Sequence, residues 1–247
     1  HNQSGFEGSS INMANPAQFS FNTPLLEELR HKVVFDRLLD YTTFDLYISN
    51  KQDVFKLEKC VIQDGTFEIN RLRPLRLGIS GEASKLSKFS GTIPGTLQTS
   101  GTSTTTYIIP KLNTLTLGGT EISDQVTSVS VEVQNDISWN KYTTVQGAVV
   151  ATSASTSMFP SNFTVGTRVV AGAITKYLKG TSSDLLTWNT SAPLVLKAGT
   201  SGTFKGVTFD FNCSFTNRLQ NADVYLEEYS WRMTERPTTL SSVITYT

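Results

Sequence analysis

A chain of 247 residues is long enough for one large domain or two modest ones, each able to bury a core. Lysine plus arginine and aspartate plus glutamate both number 21, so the net charge is zero, which argues against nucleic-acid binding through a broadly basic surface. No run of about 18 apolar residues occurs and no basic-then-apolar leader opens the chain, so neither a membrane span nor a secretory signal is expected.

Residues 1–16 are polar and glycine-rich and read as an arm; the first residue is His1 rather than methionine, so a truncated or processed polypeptide is expected. Gln18 to Asn22 alternates polar with apolar, as a strand does. Thr23-Pro24 then predicts the start of the best helix, with threonine as N-cap and proline in the first turn. Glu27 and Glu28 suit the dipole of that start, and Leu26, Leu29, Val33, Val34 and Leu38 supply an apolar stripe. Phe44–Ile48 and Val54–Val61 read as strands, the second leading into Thr66-Phe67-Glu68-Ile69-Asn70. Leu75 to Glu82 alternates again. From Ser84 to Thr106 serine, threonine and glycine dominate, and a linker is expected over 88–106.

A second series begins at Tyr107. Leu112–Leu117 alternates, and Val126–Gln134 does so cleanly, with Val129, Val131 and Val133 on one face. Asn140 to Asn162 is small and polar, reading as an extended loop or projecting hairpin. Thr167–Leu178 predicts a strand, Ser183 caps a short helix carrying Leu185, Leu186 and Trp188, and Pro193–Lys197 predicts another strand. Thr208-Phe209-Asp210-Phe211-Asn212 follows, then an alternating run from Val224 to Met233. This stretch matches Thr66–Asn70 at a distance of 142 positions (208 minus 66). The order helix, short strand, matching stretch, turn and alternating strand therefore occurs twice, which reads as an internal duplication. The expected division is a first unit over 1–87, the linker, a second unit over 107–237 and a C-terminal tail over 238–247. Nothing ahead of Phe19-Ser20-Phe21 matches Val126–Gln134, so the first copy is either clipped at its start or simply shorter.

Catalytic chemistry is nearly absent from the pattern. His1 and His31 have no cysteine or histidine partner at metal-ligand spacing, and Cys60 and Cys213, which could form at most one bridge, read as free thiols. Glu27-Glu28 and Glu227-Glu228 are neighbours whose side chains point apart in a helix or strand, so neither is an acid/base couple. Gly118-Gly119 lacks the Lys-Ser/Thr of a phosphate loop, and no Gly-x-Ser-x-Gly elbow occurs. Neither a cofactor nor a bound metal is expected, and assembly is a better reading than turnover.

The run Val126 to Asn135, a loop, and then Gly166 to Leu178 resembles the tail tube proteins of long-tailed bacteriophages, in which a strand and loop lead into a Gly-small-Ile/Leu-Thr-x-Tyr/Phe-Leu strand and then a short helix. The doubled layout, with Phe44–Ser49 and Gly65–Asn70, is similar to the two-domain tube proteins whose trimeric rings mimic hexamers. The resemblance covers most of residues 17–236. It implies a mainly β fold of tandem β-sandwich or barrel units, each with a flanking helix, closing into a tube by oligomerisation. It further implies a structural virion protein, not an enzyme, assembled in the host cytoplasm as homotrimeric rings. Its partners would be the tape measure, terminator and baseplate proteins, with no membrane involved, and DNA would pass through the lumen during genome ejection without specific binding. A distal tail or baseplate protein of the same fold is the nearest alternative. A β-sandwich carbohydrate-binding module is a more distant one, because Trp139, Trp188 and Trp231 are scattered.

Within that reading two surfaces are expected. The lumen should avoid a basic lining, since each neutralised phosphate adds affinity. Alternation places Glu68, Glu82, Glu132, Asp210 and Glu228 opposite the apolar faces of their strands, with Arg76 and Arg232 among them. The long loop, including Asn140, Met158, Phe159 and Asn162, is the expected contact from ring to ring, because loops above about 15 residues are uncommon without a role.

Overall fold

The computed structural model describes residues 14–50, 52–70, 73–95, 106–140, 159–178, 189–221 and 225–247. In chain order the elements are β1 Ala17–Pro24, α1 Lys32–Asp40, β2 Phe44–Ser49, β3 Val54–Ile69, β4 Arg76–Ala83, β5 Lys85–Phe89, β6 Lys111–Leu117 and β7 Thr120–Glu121. Then come β8 Val126–Trp139, β9 Phe163–Tyr177, β10 Asn189–Gly199, β11 Gly206–Asn221, β12 Tyr225–Met233, a 3-10 turn Leu240–Ser242 and β13 Ile244–Tyr246. The mainly β expectation holds. No helix among the described residues is long and apolar enough to cross a membrane.

All the strands join one antiparallel sheet, ordered β1-β4-β3-β8-β9-β12-β11-β10-β6-β7, with β13 on β11 and with β2 and β5 on β3. The β3–β8 pairing carries this sheet across the expected division into units, and one cluster of buried residues runs from Phe19 to Tyr246.

The sheet folds over on itself. Phe67 shares a register row with Val131, Gly172, Trp231 and Phe215, so four strand spacings separate β3 from β11, about 19 Å along a flat sheet. Phe209 lies a further six residues along β11, about 20 Å at the usual strand rise. Yet the Phe67 and Phe209 rings meet edge to face at 5.3 Å. Only strong curvature brings them together, so β3 and the start of β11 form facing walls. Helix α1 fills the space between: Phe35 packs against Phe67 at 5.9 Å and against Tyr246 at 5.5 Å. Gly65 is what lets it sit there, because a Cβ at that position would come within 2.2 Å of a Leu38 methyl.

Helix α1 begins eight residues later than Thr23-Pro24 predicts. Thr23 and Pro24 end β1 instead, opposite Leu77 and Arg76 of β4. Continuous pairing of Ala17–Pro24 along β4 outweighs the local helix signal, and proline is tolerated because β1 has no strand beyond it, among the described residues, to need its missing N–H. The Thr23 hydroxyl lies 2.8 Å from Nδ1 of His31, whose N–H donates to the Pro24 carbonyl. Only Phe35, Leu38 and Leu39 of α1 are buried; Val33, expected in the stripe, faces solvent. Leu26 instead forms a bridge with Tyr107. The helix ends at Tyr41, in a left-handed conformation, whose N–H donates to Arg37.

The residues expected to form linker and tail contribute structure. β5 runs to Phe89 and pairs with β3. In 238–247, Leu240, Ile244 and Tyr246 are core residues, and β13 pairs with Val207–Phe209. The Leu26 N–H donates to the Tyr246 hydroxyl at 2.7 Å, and that hydroxyl donates to the Leu26 carbonyl. The short helix expected after Ser183 lies outside the described residues.

The facing-wall contact predicts that Phe67→Ala costs about 3–5 kcal/mol, because the cavity is bounded by a helix and two walls that cannot collapse independently. Urea unfolding of dissociated subunits should show a lower midpoint with an unchanged slope.

Candidate functional site

The expected lumen residues divide between two surfaces. Glu68, Glu82 and Glu132 lie on adjacent strands β3, β4 and β8, on the face of the sheet turned away from the core. A polar row crosses this face from Asn22 through Gly78 and Thr66 to Glu132, and ends beyond Ala171 at Arg232. Glu68 is exposed and stands between Arg76 and Ser130. The surface dips into a recess lined by Ser20, Asn22, Asp64, Thr66, Glu68 and Arg76. The Ser80 hydroxyl donates to Asp64 at 3.0 Å, and the Gln134 amide donates to Glu132 at 2.9 Å. Over β1, β4, β3 and β8 this paired surface carries Asp64, Glu68, Glu82 and Glu132 against Arg76. Glu228 lies on the same face farther along, opposite Arg218 and accepting from Gln220 at 2.6 Å.

Asp210 stands apart from Glu68. It is exposed on the start of β11, opposite Val195, next to the Phe209 that meets Phe67 across the core. Because those two rings converge, the side chains one residue on in each strand diverge, and Glu68 and Asp210 face opposite sides of the subunit. The two matching stretches also differ in surroundings: Thr66–Glu68 pairs with β4 and β8, whereas Thr208–Phe209 pairs with β10 and β13. Strands β3 and β11 are each 16 residues long and start 152 positions apart (206 minus 54), so the 142-residue match is about ten residues out of step with the strands that contain it.

At one end of the subunit the mouth of the long loop is closed by the Asn140 N–H, which donates to the Asn162 carbonyl at 2.7 Å. Residues 141–158, Met158 included, lie outside the described residues. The returning limb lies on the junction of β3 and β5: the Lys85 ammonium sits over the Phe159 ring at 5.1 Å, Ser84 donates to the Pro160 carbonyl at 2.5 Å, and Lys59 to that of Ser161 at 3.2 Å.

Two polar constellations went unforeseen. Where β8 parts from β3 beyond the Asp64–Gln134 pair, the Asn135 amide donates to the carbonyls of Ile62 and Leu38, both at 3.1 Å. The Arg168 guanidinium donates to Asn135 at 2.7 Å and to the Leu39 carbonyl at 2.6 Å, and stacks on Tyr41 at 4.9 Å. The unpaired last-turn carbonyls of α1 are thus satisfied from β8 and β9. Burial lowers the Arg168 pKa from its ordinary value. Second, Lys176 and Glu227 are cross-strand partners 3.5 Å apart with side chains 0% and 1% exposed, and Asn217 donates to Glu227 at 3.0 Å. The signals were present: Asn135 and Lys176 each occupy an inward position of an alternating strand, where a polar residue demands a partner.

Cys60 and Cys213 are buried free thiols, each pushed up to about 12 by burial. No cluster of three or more metal-ligating side chains occurs among the described residues.

Against this geometry, the sequence profile described as the Bacteriophage Baseplate Tube Protein Family matches residues 36–246. The chain belongs to that family. It is a structural protein of the phage tail or baseplate tube, a component of the virion that works among other tail components. The match takes in β13 and most of α1, the elements that close the curved sheet. Comparison with curated protein sequences finds no match.

Two outcomes follow for this tube protein. Lys176→Met should destabilise the subunit by about 3–5 kcal/mol by leaving Glu227 buried without its cation, and adding Glu227→Leu should restore most of that loss; chemical denaturation of the three variants checks it. Both thiols should resist a disulfide reagent in the folded protein. Their raised folded-state pKa favours the fold fully below pH 9, and that contribution is lost as pH rises from 9 towards 12, which unfolding across alkaline pH would read.

Proposed function

We propose that this protein builds the tube itself: three copies close a ring, each supplying two similar β units, and rings stack into a conduit for DNA. The observation that carries the reading is a repeated pairing order. β1 pairs with β4, β4 with β3 and β3 with β2; likewise β9 pairs with β12, β12 with β11 and β11 with β10. Two such units per chain allow three chains to make a pseudo-sixfold ring through heterologous contacts. Among the described residues the sheet ends at β1 on one side and at β7, beside β6, on the other, and edges of this kind are what ring closure covers.

In this reading the acidic face of β4, β3 and β8 lines the channel, with Glu68, Glu82 and Glu132 repelling phosphate, and Asp210 lies on the outer side. The protein acts without catalysis or cofactor, contacting the tape measure, terminator and baseplate proteins at the tube ends. A role confined to the baseplate is the second reading, favoured by the wording of the family description. Copy number per virion separates them, since a full-length tube requires the protein to be among the most abundant.

Glu68→Lys with Glu132→Lys, built into virions, should give tubes of normal length with slower ejection that recovers at higher salt. Asp210→Lys should leave ejection unchanged. Ejection from the double variant equal to that of the wild type and of Asp210→Lys would remove the lumen assignment; purified protein that never forms rings or tubes would remove the tube.

A further inference from the structure

The β8–β9 hairpin outruns its neighbours. Its ladder with β3 ends at Asp64–Gln134, and β9 pairs with β12 only from Ala171 onward. Past those points residues 136–139 and 163–166 pair only with each other, among the described residues. A two-stranded ribbon of that length is marginal by itself, so other contacts must hold it. Two sets do. Ile137 and Trp139 pack with Phe163 and Val165 on Val61 of β3, in a small cluster separate from the main core. The limb returning from the loop mouth is tied to the β3–β5 corner by Ser84 on the Pro160 carbonyl, Lys59 on that of Ser161 and Lys85 over the Phe159 ring.

Neither set is strong. The Trp139 indole N–H is buried without an acceptor, and the exposed Lys59–Ser161 bond competes with water. The base of the ribbon is also irregular. Between the Asn135–Arg168 and Ile137–Val165 pairs, Asp136 alone faces both Gly166 and Thr167, which is a bulge. Asn135 and Arg168 themselves hold the last carbonyls of α1, so the anchored part of the hairpin ends where the bulge begins.

We propose that residues 136–139 and 163–166 are a latched arm, which swings off Val61 about this bulge as one unit while the curved core and α1 stay folded. Opening breaks the small cluster and the three ties and lets the Trp139 N–H meet water. It redirects the loop mouth, closed by Asn140 and Asn162, without disturbing the Phe67–Phe209 contact. Units that open on their own come from the parts of a fold with the fewest buried contacts, and this ribbon has one small cluster where the rest of the sheet has the main core. The inference concerns the subunit itself and stands whether or not copies stack.

Hydrogen exchange of full-length, dissociated subunits in urea below the unfolding transition tests it, read by mass spectrometry. Amides of 137–139 and 163–165 should exchange at least about tenfold faster than those of 129–133. Their rate should hardly change with urea, because arm opening exposes little surface, whereas that of 129–133 should climb steeply. Trp139→Ala should speed the arm at least about tenfold and Ser84→Ala about fivefold, each variant checked for native circular dichroism. Phe67→Leu should speed 129–133 and leave the arm unchanged, since the open arm keeps that core contact. Arm amides that follow urea as steeply as 129–133, or that neither latch variant speeds, would overturn the arm.

Discussion

The fold depends on a sheet curved tightly enough for its own two halves to touch. The Phe67–Phe209 contact is possible only if the strands between them bend by far more than ordinary twist provides, and α1 holds that bend open at the width of one helix. Two glycines allow it. Gly65 gives Leu38 its seat, and Gly172 leaves room for the Trp231 ring, which a Cβ would meet at 2.5 Å. Dispersion contacts among Phe35, Phe67, Phe209 and Tyr246 then lock the halves together.

That geometry also governs the polar groups. Leu38 and Leu39, in the last turn of the wedged helix, are buried, and their carbonyls take donors from the protein. Asn135 and Arg168 reach them where the β3–β8 ladder has ended and β8 and β9 carry a register shift, after Asn135; beyond it the hairpin packs Ile137 and Trp139 on Val61 of β3. The same curvature sends Glu68 and Asp210 outward in opposite directions, so acids that alternation groups together stand on two sides of the subunit.

Period-two alternation made most strands legible. Val126–Gln134, Leu112–Leu117 and Phe44–Ile48 fall within strands β8, β6 and β2, and the reading of β8 stops at Gln134, just before the inward polar Asn135. Thr23-Pro24 misled because capping chemistry is local, whereas pairing of β1 with β4 is decided more than fifty residues away. The recurrence of Thr-Phe-acid-x-Asn falls on β3 and β11 at positions about ten residues out of step and with different partner strands: such a pattern satisfies any strand with one buried face, so it cannot fix which neighbours that strand has. Lys176–Glu227 was hidden for a related reason, since alternation marks an inward position but the partner is set by the register of β9 on β12.

Strand β3 belongs to two groups of strands at once. Up to Cys60 it is flanked by β2 and β5; from Val61 it pairs with β4, and from Asp64 with β8 as well. The change of partners coincides with Lys59, whose backbone is left-handed at φ 52° and whose N–H donates to Asp45. In mechanical terms β3 is a tie-rod. A pull on the projecting end is carried along one covalent chain, and it must shear the bonds to β4 and β8 together instead of unzipping them in turn. Tension along the strand therefore meets the stiffest direction of the subunit, whereas a sideways load on β5 has to peel only five residues.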